Sequence, residues 1–307
     1  MTLHPNVLGV DVAKDWIDTF DLASGRACRI DMRPAALRLF ASRLADALVV
    51  FEASGGYEQP LVEALDEAGV AYARINPRHA REFARATGRL AKTDRIDAEM
   101  LASMGAALRP KPSLPRDPAL RRLAELVARR EDIVAVITAE KQRLGQARER
   151  FVRTSIQRLL AILTRQKKAI ETEIAAHTRQ HDSLHAREKR LRTAPGVGPV
   201  AASVVMALMP ELGSLDRRAI AALAGLAPHA DDSGRRRGRR TTWGGRAPVR
   251  RALYMAAFIA SRHAPLFRDM RQRLEAAGKP FKVIIIAIAR KLLAILNAMI
   301  RDNRDYA

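Results

Sequence analysis

The run Leu8-Gly9-Val10-Asp11-Val12-Ala13 constrains this chain more than any other stretch. A short apolar run rich in valine suits a strand covered on both faces of a sheet. A carboxylate in the middle of such a strand is costly unless a cation compensates it. A metal ion is the obvious cation, and Glu52, Asp94 and Asp97 downstream are the acids that would share it with Asp11.

The strand expectation extends into an α/β domain over about residues 1 to 112. Val7 to Ala13, Trp16 to Leu22 and Arg26 to Met32 read as strands, with a hairpin turn at Ser24-Gly25. Pro34 to Leu44 has helical spacing, and Ala47 to Phe51 is an apolar strand ending at Glu52. Ser54-Gly55-Gly56 then turns the chain into a helix from Gln59 to Ala68, followed by a strand from Val70 to Ile75 and a helix from Arg78. Three strands followed by alternating helices and strands predict a mixed sheet flanked by helices, as in the ribonuclease H-like fold. Asp11 falls mid-strand and Glu52 at a strand's carboxyl end, where open sheets place their ligand sites. Asp94 and Asp97 are three apart, so on a helix they share a face, and Thr93 or Asp94 can cap it. Hard divalent cations prefer such oxygen ligands. Each acid taken singly also reads as a solvated or capping residue, and Asp15 and Glu58 are set aside as exposed-loop residues. The basic, glycine-bearing segment 88–93 reads equally as a phosphate contact or a plain loop.

Ser113, Pro115 and Pro118 punctuate the boundary to a helical middle, 113–190. Apolar residues recur at three and four from Leu123 through Val127, Val134, Ile137, Leu144, Phe151, Leu159, Ile162 and Ile170. This predicts long helices, either an antiparallel pair or an intermolecular coiled coil. Its role is a spacer or a dimerisation element that also touches phosphate.

The third segment, 191–307, reads as mostly helical. Pro195-Gly196-Val197-Gly198 precedes an Ala/Val helix. It is either a tight turn between helices or a helix-hairpin-helix-like element whose amides at Gly196 and Gly198 bind phosphate. Arg235, Arg236, Arg237, Arg239, Arg240 and Arg246 then crowd a segment broken by glycines and Trp243. An apolar helix, Arg250 to Ser261, follows at once, which favours an ordered loop lined with guanidinium groups over a disordered arm. Ser233 is its uncharged nucleophile. A serine attacking a phosphodiester needs the phosphate charge neutralised, and arginines do that well. Read from the residues alone, Ser233 is also a turn residue.

The formal net charge of +21 favours a polyanion, nucleic acid first and an anionic membrane surface second. No apolar run is expected to reach spanning length, since Val283 to Ala289 stops at Arg290-Lys291, and residues 1–6 show no signal peptide. A single cysteine, Cys28, leaves no intramolecular disulfide and no cysteine-rich zinc site. These features fit an intracellular protein.

Taken together, the motifs resemble the insertion-sequence-110 family of transposases, the bridge-RNA-guided serine recombinases. The resemblance rests on Gly9-Val10-Asp11-Val12-Ala13-Lys14, Phe51-Glu52-Ala53-Ser54-Gly55-Gly56-Tyr57, Ile75-Asn76-Pro77 and Lys92-Thr93-Asp94-Arg95-Ile96-Asp97-Ala98. In the carboxyl half it rests on Pro195-Gly196-Val197-Gly198, Asp232-Ser233-Gly234, Gly244-Gly245, Arg250, Leu253-Tyr254-Met255-Ala256-Ala257 and Arg290-Lys291-Leu292-Leu293. It implies a RuvC-like first domain whose Asp11, Glu52, Asp94 and Asp97 bind magnesium or manganese and act from a neighbouring subunit. It also implies that Ser233 forms a covalent phosphoserine link with DNA. The implied partners are donor and target DNA, a noncoding bridge RNA and further copies of the chain, as a dimer that pairs into a tetramer. No membrane partner is implied, and the implied location is the bacterial cytoplasm, at the nucleoid when bound to DNA. Base pairing would carry sequence choice, leaving shape and backbone contacts to the protein; the 5% aromatic content agrees that stacking is not the main grip. Two rival readings are a nuclease resembling Holliday-junction resolvases that uses only the acids, and a nucleic-acid-binding protein without catalysis.

Overall fold

A computed structural model describes residues 6–44, 46–88, 94–113, 117–229, 232–233, 236–237 and 241–306. Two compact units divide at the proline-marked boundary, Met1–Pro115 and Arg116–Ala307.

The first unit runs β1 (Asn6–Val12), β2 (Trp16–Asp21), β3 (Ala27–Asp31), α1 (Pro34–Ala41), β4 (Ala47–Glu52), α2 (Gln59–Glu67), β5 (Ala71–Ile75), α3 (Pro77–Ala86) and α4 (Asp94–Leu108). The five strands form one mixed sheet in the order β3-β2-β1-β4-β5. β1 pairs antiparallel with β2 and parallel with β4, and β4 pairs parallel with β5. This sheet is compatible with a ribonuclease H-like domain. Strand alternation sorts the side chains into two layers. Leu8, Val10, Val49 and Phe51 pack with Leu37 of α1 and Leu61 and Leu65 of α2 on one face. Leu48, Val50 and Ala73 pack with Ala80 of α3 and with Met100, Leu101 and Met104 of α4 on the other.

The second unit begins with α5 (Pro118–Gln146), α6 (Arg150–Gln180), α7 (Asp182–Thr193), α8 (Pro199–Leu208) and α9 (Arg217–Leu223). Four two-residue strands follow: β6 (Pro228–His229), β7 (Asp232–Ser233), β8 (Arg236–Arg237) and β9 (Thr241–Thr242). α10 (Ala247–His263), α11 (Pro265–Ala276) and α12 (Phe281–Arg301) complete it. α5 and α6 form an antiparallel pair within the chain. Arg122 meets Glu173 at 2.6 Å and Arg130 meets Glu171 at 2.8 Å across it, and Arg153 closes the hairpin end by donating to the Leu144 and Ala147 carbonyls. At the other end the buried His177 lies with Nε2 2.8 Å from the Ala119 carbonyl oxygen.

That inner end explains why the helical middle and the carboxyl segment form one unit and not two. Leu123, Val127, Ile174, Leu184 and Leu191 share a single core with α8, α10 and α12. The outer end is different: Val136, Phe151, Leu159 and Ile162 are exposed.

α12 corrects the expectation about spanning length. The helix continues through Arg290-Lys291 to Arg301, and by length and composition it is long and apolar enough to cross a membrane. Both charged residues lie on its exposed stripe, while Ile284, Ile285, Ile288, Leu292, Leu293 and Leu296 are fully buried or nearly so. These side chains sit in the core of the second unit, which makes α12 a central core helix there.

Candidate active site

The register of β1 against β4 ends at Val10 opposite Phe51, so Asp11 and Glu52 are the next residues on neighbouring parallel strands. Both therefore stand at the carboxyl ends of the strands and, by alternation, on the face away from α1 and α2. That face belongs to α4. Gly9 packs so tightly on α4 that a Cβ there would overlap the Ala98 carbonyl oxygen and the Ala102 amide. Gly105, further along α4, would in the same way run into Val7 and Val50. The helix thus runs antiparallel to β1, and its first turn, which opens at Asp94 and includes Asp97, lies toward the Asp11 end.

Asp11, Glu52 and Asp97 are each half-buried. The side chain of Asp94 and residues 89–93 lie outside the described residues. Among the described residues no three His, Cys, Asp or Glu side chains gather closely enough to hold a metal ion. An all-carboxylate set is nevertheless the donor chemistry a hard divalent cation takes, with water completing the shell.

Glu58 is a correction. Expected in an exposed loop, it is fully buried. Its Oε2 accepts hydrogen bonds from the Ser54 amide (3.2 Å), the Ser54 hydroxyl (2.8 Å) and the Gly56 amide (2.9 Å), and its Oε1 lies 2.5 Å from Arg74 Nη2 on β5. Burial pushes the Glu58 carboxyl pKa up, but these hydrogen bonds and the Arg74 charge outweigh burial and hold it below the usual carboxylate value. Glu58 thereby ties the turn after Glu52 to the neighbouring strand. Ala53 adds a rung by donating its amide to the Ile75 carbonyl at 3.0 Å. A glutamate two residues after a Gly-Gly pair gave no periodic signal for this role.

In the second unit, β6 pairs antiparallel with β9, and β7 pairs antiparallel with β8. Within the arginine-rich segment the described pairs 232–233 and 236–237 form the second of these ladders, with Ser233 opposite Arg236. Arg235, Arg239 and Arg240 lie outside the described residues, as do the side chains of Ser233, Arg236 and Arg237.

Arg246 has a structural role within the unit. Its guanidinium forks onto Glu211 (Nη1 to Oε2 2.6 Å, Nη2 to Oε1 2.7 Å) and also donates to the Leu208 carbonyl at 2.7 Å. It closes the segment onto the core, and Arg250 helps by donating to the Gly244 carbonyl at 2.6 Å.

The two glycines of the α7–α8 turn also separate. Gly196 has φ +77°, and a Cβ there would overlap the Ala256 carbonyl oxygen of α10. It serves the turn and the packing. Gly198 has open space around it and caps α8, whose first residues Pro199 and Val200 are exposed.

Comparison with known proteins agrees in both halves. A family model described as transposase matches residues 8–152, and a model of the IS116/IS110/IS902 transposase family matches residues 188–272. Pilin gene-inverting proteins of Moraxella lacunata and Moraxella bovis are each 29% identical to the chain over 262 residues, covering 84% of it and 81% of the relative. An insertion element IS110 protein of 43.6 kDa from Streptomyces coelicolor is 30% identical over 149 residues, 48% of this chain and 36% of its own. With one family matching on both sides of the unit boundary, the chain belongs to the insertion-sequence-110 family of transposases, enzymes that cleave and rejoin DNA.

Proposed function

We propose that this transposase cuts DNA with Ser233 and rejoins it through a covalent phosphoserine link. Asp11, Glu52, Asp94 and Asp97 hold magnesium or manganese at the same phosphodiester, supplied by a neighbouring subunit. The observation that carries the reading is the β1–β4 register. It sets Asp11 and Glu52 side by side at the carboxyl ends of two parallel strands, on the face that the first turn of α4 approaches. A divalent cation bound there supplies charge stabilisation to the attacking and leaving oxygens.

The Ser233 oxygen forms a bond to phosphorus as the bond from phosphorus to the leaving deoxyribose oxygen breaks. The serine proton leaves, and the departing oxygen takes up a proton. Rejoining reverses the step: a deoxyribose hydroxyl attacks the phosphoserine and frees Ser233. The number of phosphoester bonds is conserved, so no external energy source is required. Arg235, Arg236, Arg237, Arg239 and Arg240 neutralise the phosphates around it. The amides at the start of α8, beyond Gly196 and Gly198, form a helix-hairpin-helix-like grip on a DNA backbone.

A noncoding bridge RNA pairs with donor and target DNA. The motif resemblance supports this, and the net charge of +21 with 5% aromatic residues suits a protein that holds backbones and leaves reading to base pairs. The exposed apolar residues at the outer end of α5 and α6 support assembly of copies into a dimer and a tetramer.

Strand cleavage tests the reading. Labelled donor and target duplexes incubated with the chain, its RNA and magnesium should be cut. Ser233→Ala and Asp11→Asn should each abolish cutting while the protein still binds DNA. Cutting that survives Ser233→Ala would leave a metal nuclease in place of a serine recombinase.

A further inference from the structure

A cleft of about 810 Å3 opens in the second unit between α9, α11 and α12. Arg217 and Arg218 of α9 line one side, and Arg290 and Lys291 of α12 line the other. All four are exposed. The lining between them is apolar and mostly small, with Ala221, Ala287 and Ala294 beside the larger Met270 and Ile295. A second cavity of about 520 Å3 continues from it, sharing Pro228, Ala287 and Arg290, and adds Lys282. Among the described residues no aspartate or glutamate lines either cavity.

Five cations facing a concave surface create a strongly positive local potential. Its location narrows the occupant. Pro228 in β6 enters the segment that carries Ser233, and Thr241 and Thr242 in β9 leave it, and all three line the cavities. We infer that this cleft seats the sugar–phosphate backbone of a DNA strand beside the Ser233 segment, as a phosphate-binding surface separate from the arginine run itself. The inference rests on the reading that Ser233 acts on DNA. The small lining residues let a backbone lie close, and the cations on both walls meet its phosphates. Arg218 also feels the charge of Asp216, the residue that caps α9, so Arg217, Arg290 and Lys291 carry the test.

The test is binding of the full chain to a short fluorescein-labelled DNA duplex, followed by anisotropy across a range of potassium chloride concentrations. Arg217→Gln, Arg290→Gln and Lys291→Gln combined should reduce the slope of log affinity against log salt by about 2.7 units, since each of the three lost phosphate contacts removes about 0.9. Combined Arg217→Lys, Arg290→Lys and Lys291→Arg keeps every charge and should retain the wild-type slope. A neutral variant with the wild-type slope would overturn the inference. So would an equal drop in the charge-keeping variant, which would indicate a damaged fold, or a drop seen with an RNA duplex or a polyaspartate competitor and not with DNA. The Ser233 adduct is scored separately. An adduct lost in Ser233→Ala alongside an unchanged slope sinks the cleft alone. A reduced slope alongside cutting that survives Ser233→Ala sinks the serine chemistry alone.

Discussion

Residue 9 has to be glycine because the Ala98 carbonyl of α4 stands where its Cβ would be. This contact brings the helix that carries Asp94 and Asp97 down onto the strand that carries Asp11. Gly9→Ala should therefore push α4 off the sheet, and backbone atoms cannot step aside as a flexible side chain can. The expected loss is roughly 3 kcal/mol, the upper range of overpacking costs. Urea denaturation should read it as a lower midpoint with an unchanged slope. A Gly9→Ala protein of wild-type stability would mean that α4 does not sit on β1 in this way.

Glu58→Gln should destabilise the first unit by about 1–3 kcal/mol. It removes the carboxylate charge that faces Arg74 and leaves hydrogen bonds to Ser54 and Gly56 only partly replaced. The folded-state pKa of Glu58 lies below its ordinary value of 4.5. The stability it contributes is therefore complete above the unfolded pKa and is lost as pH falls through the folded pKa. Denaturation of wild type and Glu58→Gln should show the full difference at neutral pH and a shrinking one as pH drops below 4.5. A difference that grew on acidification would contradict the sign.

Arg246→Lys should weaken the fold and leave DNA binding alone. A lysine cannot fork onto both Glu211 oxygens and reach the Leu208 carbonyl as well. A loss of about 1–3 kcal/mol is expected in the second unit, with the salt slope of DNA binding unchanged. A lower salt slope would show that Arg246 also contacts phosphate.

Gly196→Ala and Gly198→Ala should differ clearly in cost, although only one residue separates them. The first forces a Cβ into a left-handed backbone and against α10, for an expected cost of about 1–3 kcal/mol. The second adds a methyl to open space at φ −85° and should cost only about 0.5 kcal/mol, the preference for glycine over alanine at a helix cap. Thermal unfolding of the pair separates them, and equal destabilisation would refute the assignment.

These residues also mark where the sequence was legible. The five strands fall within a residue or two of the runs that define them, because short apolar or alternating runs bounded by turn residues carry a strong local signal. Asp11 and Glu52 were legible as acids on two strands of one sheet, but that those strands pair in parallel and set the two side by side shows only in the register. Glu58 was not, since its burial depends on Arg74 from a strand far along the chain, and a carboxylate's default place is the surface. Arg246 was lost among its neighbours: eight arginines between 235 and 251 look alike until one is seen to meet Glu211. The α5–α6 pair was legible as helices, but periodicity does not reveal that its inner end joins the α12 core while its outer end stays exposed. Arg290-Lys291 seemed to end an apolar run because a linear reading cannot separate the stripes of a helix.

The account turns on a serine joined to DNA. The direct measurement is denaturing electrophoresis of the chain incubated with its RNA, magnesium and end-labelled DNA, with the adducted peptide then located by mass spectrometry. A labelled protein band should appear in the wild type, map to Ser233, and vanish in Ser233→Ala. Cleaved DNA with no protein attached, or an adduct that persists in Ser233→Ala, would contradict it.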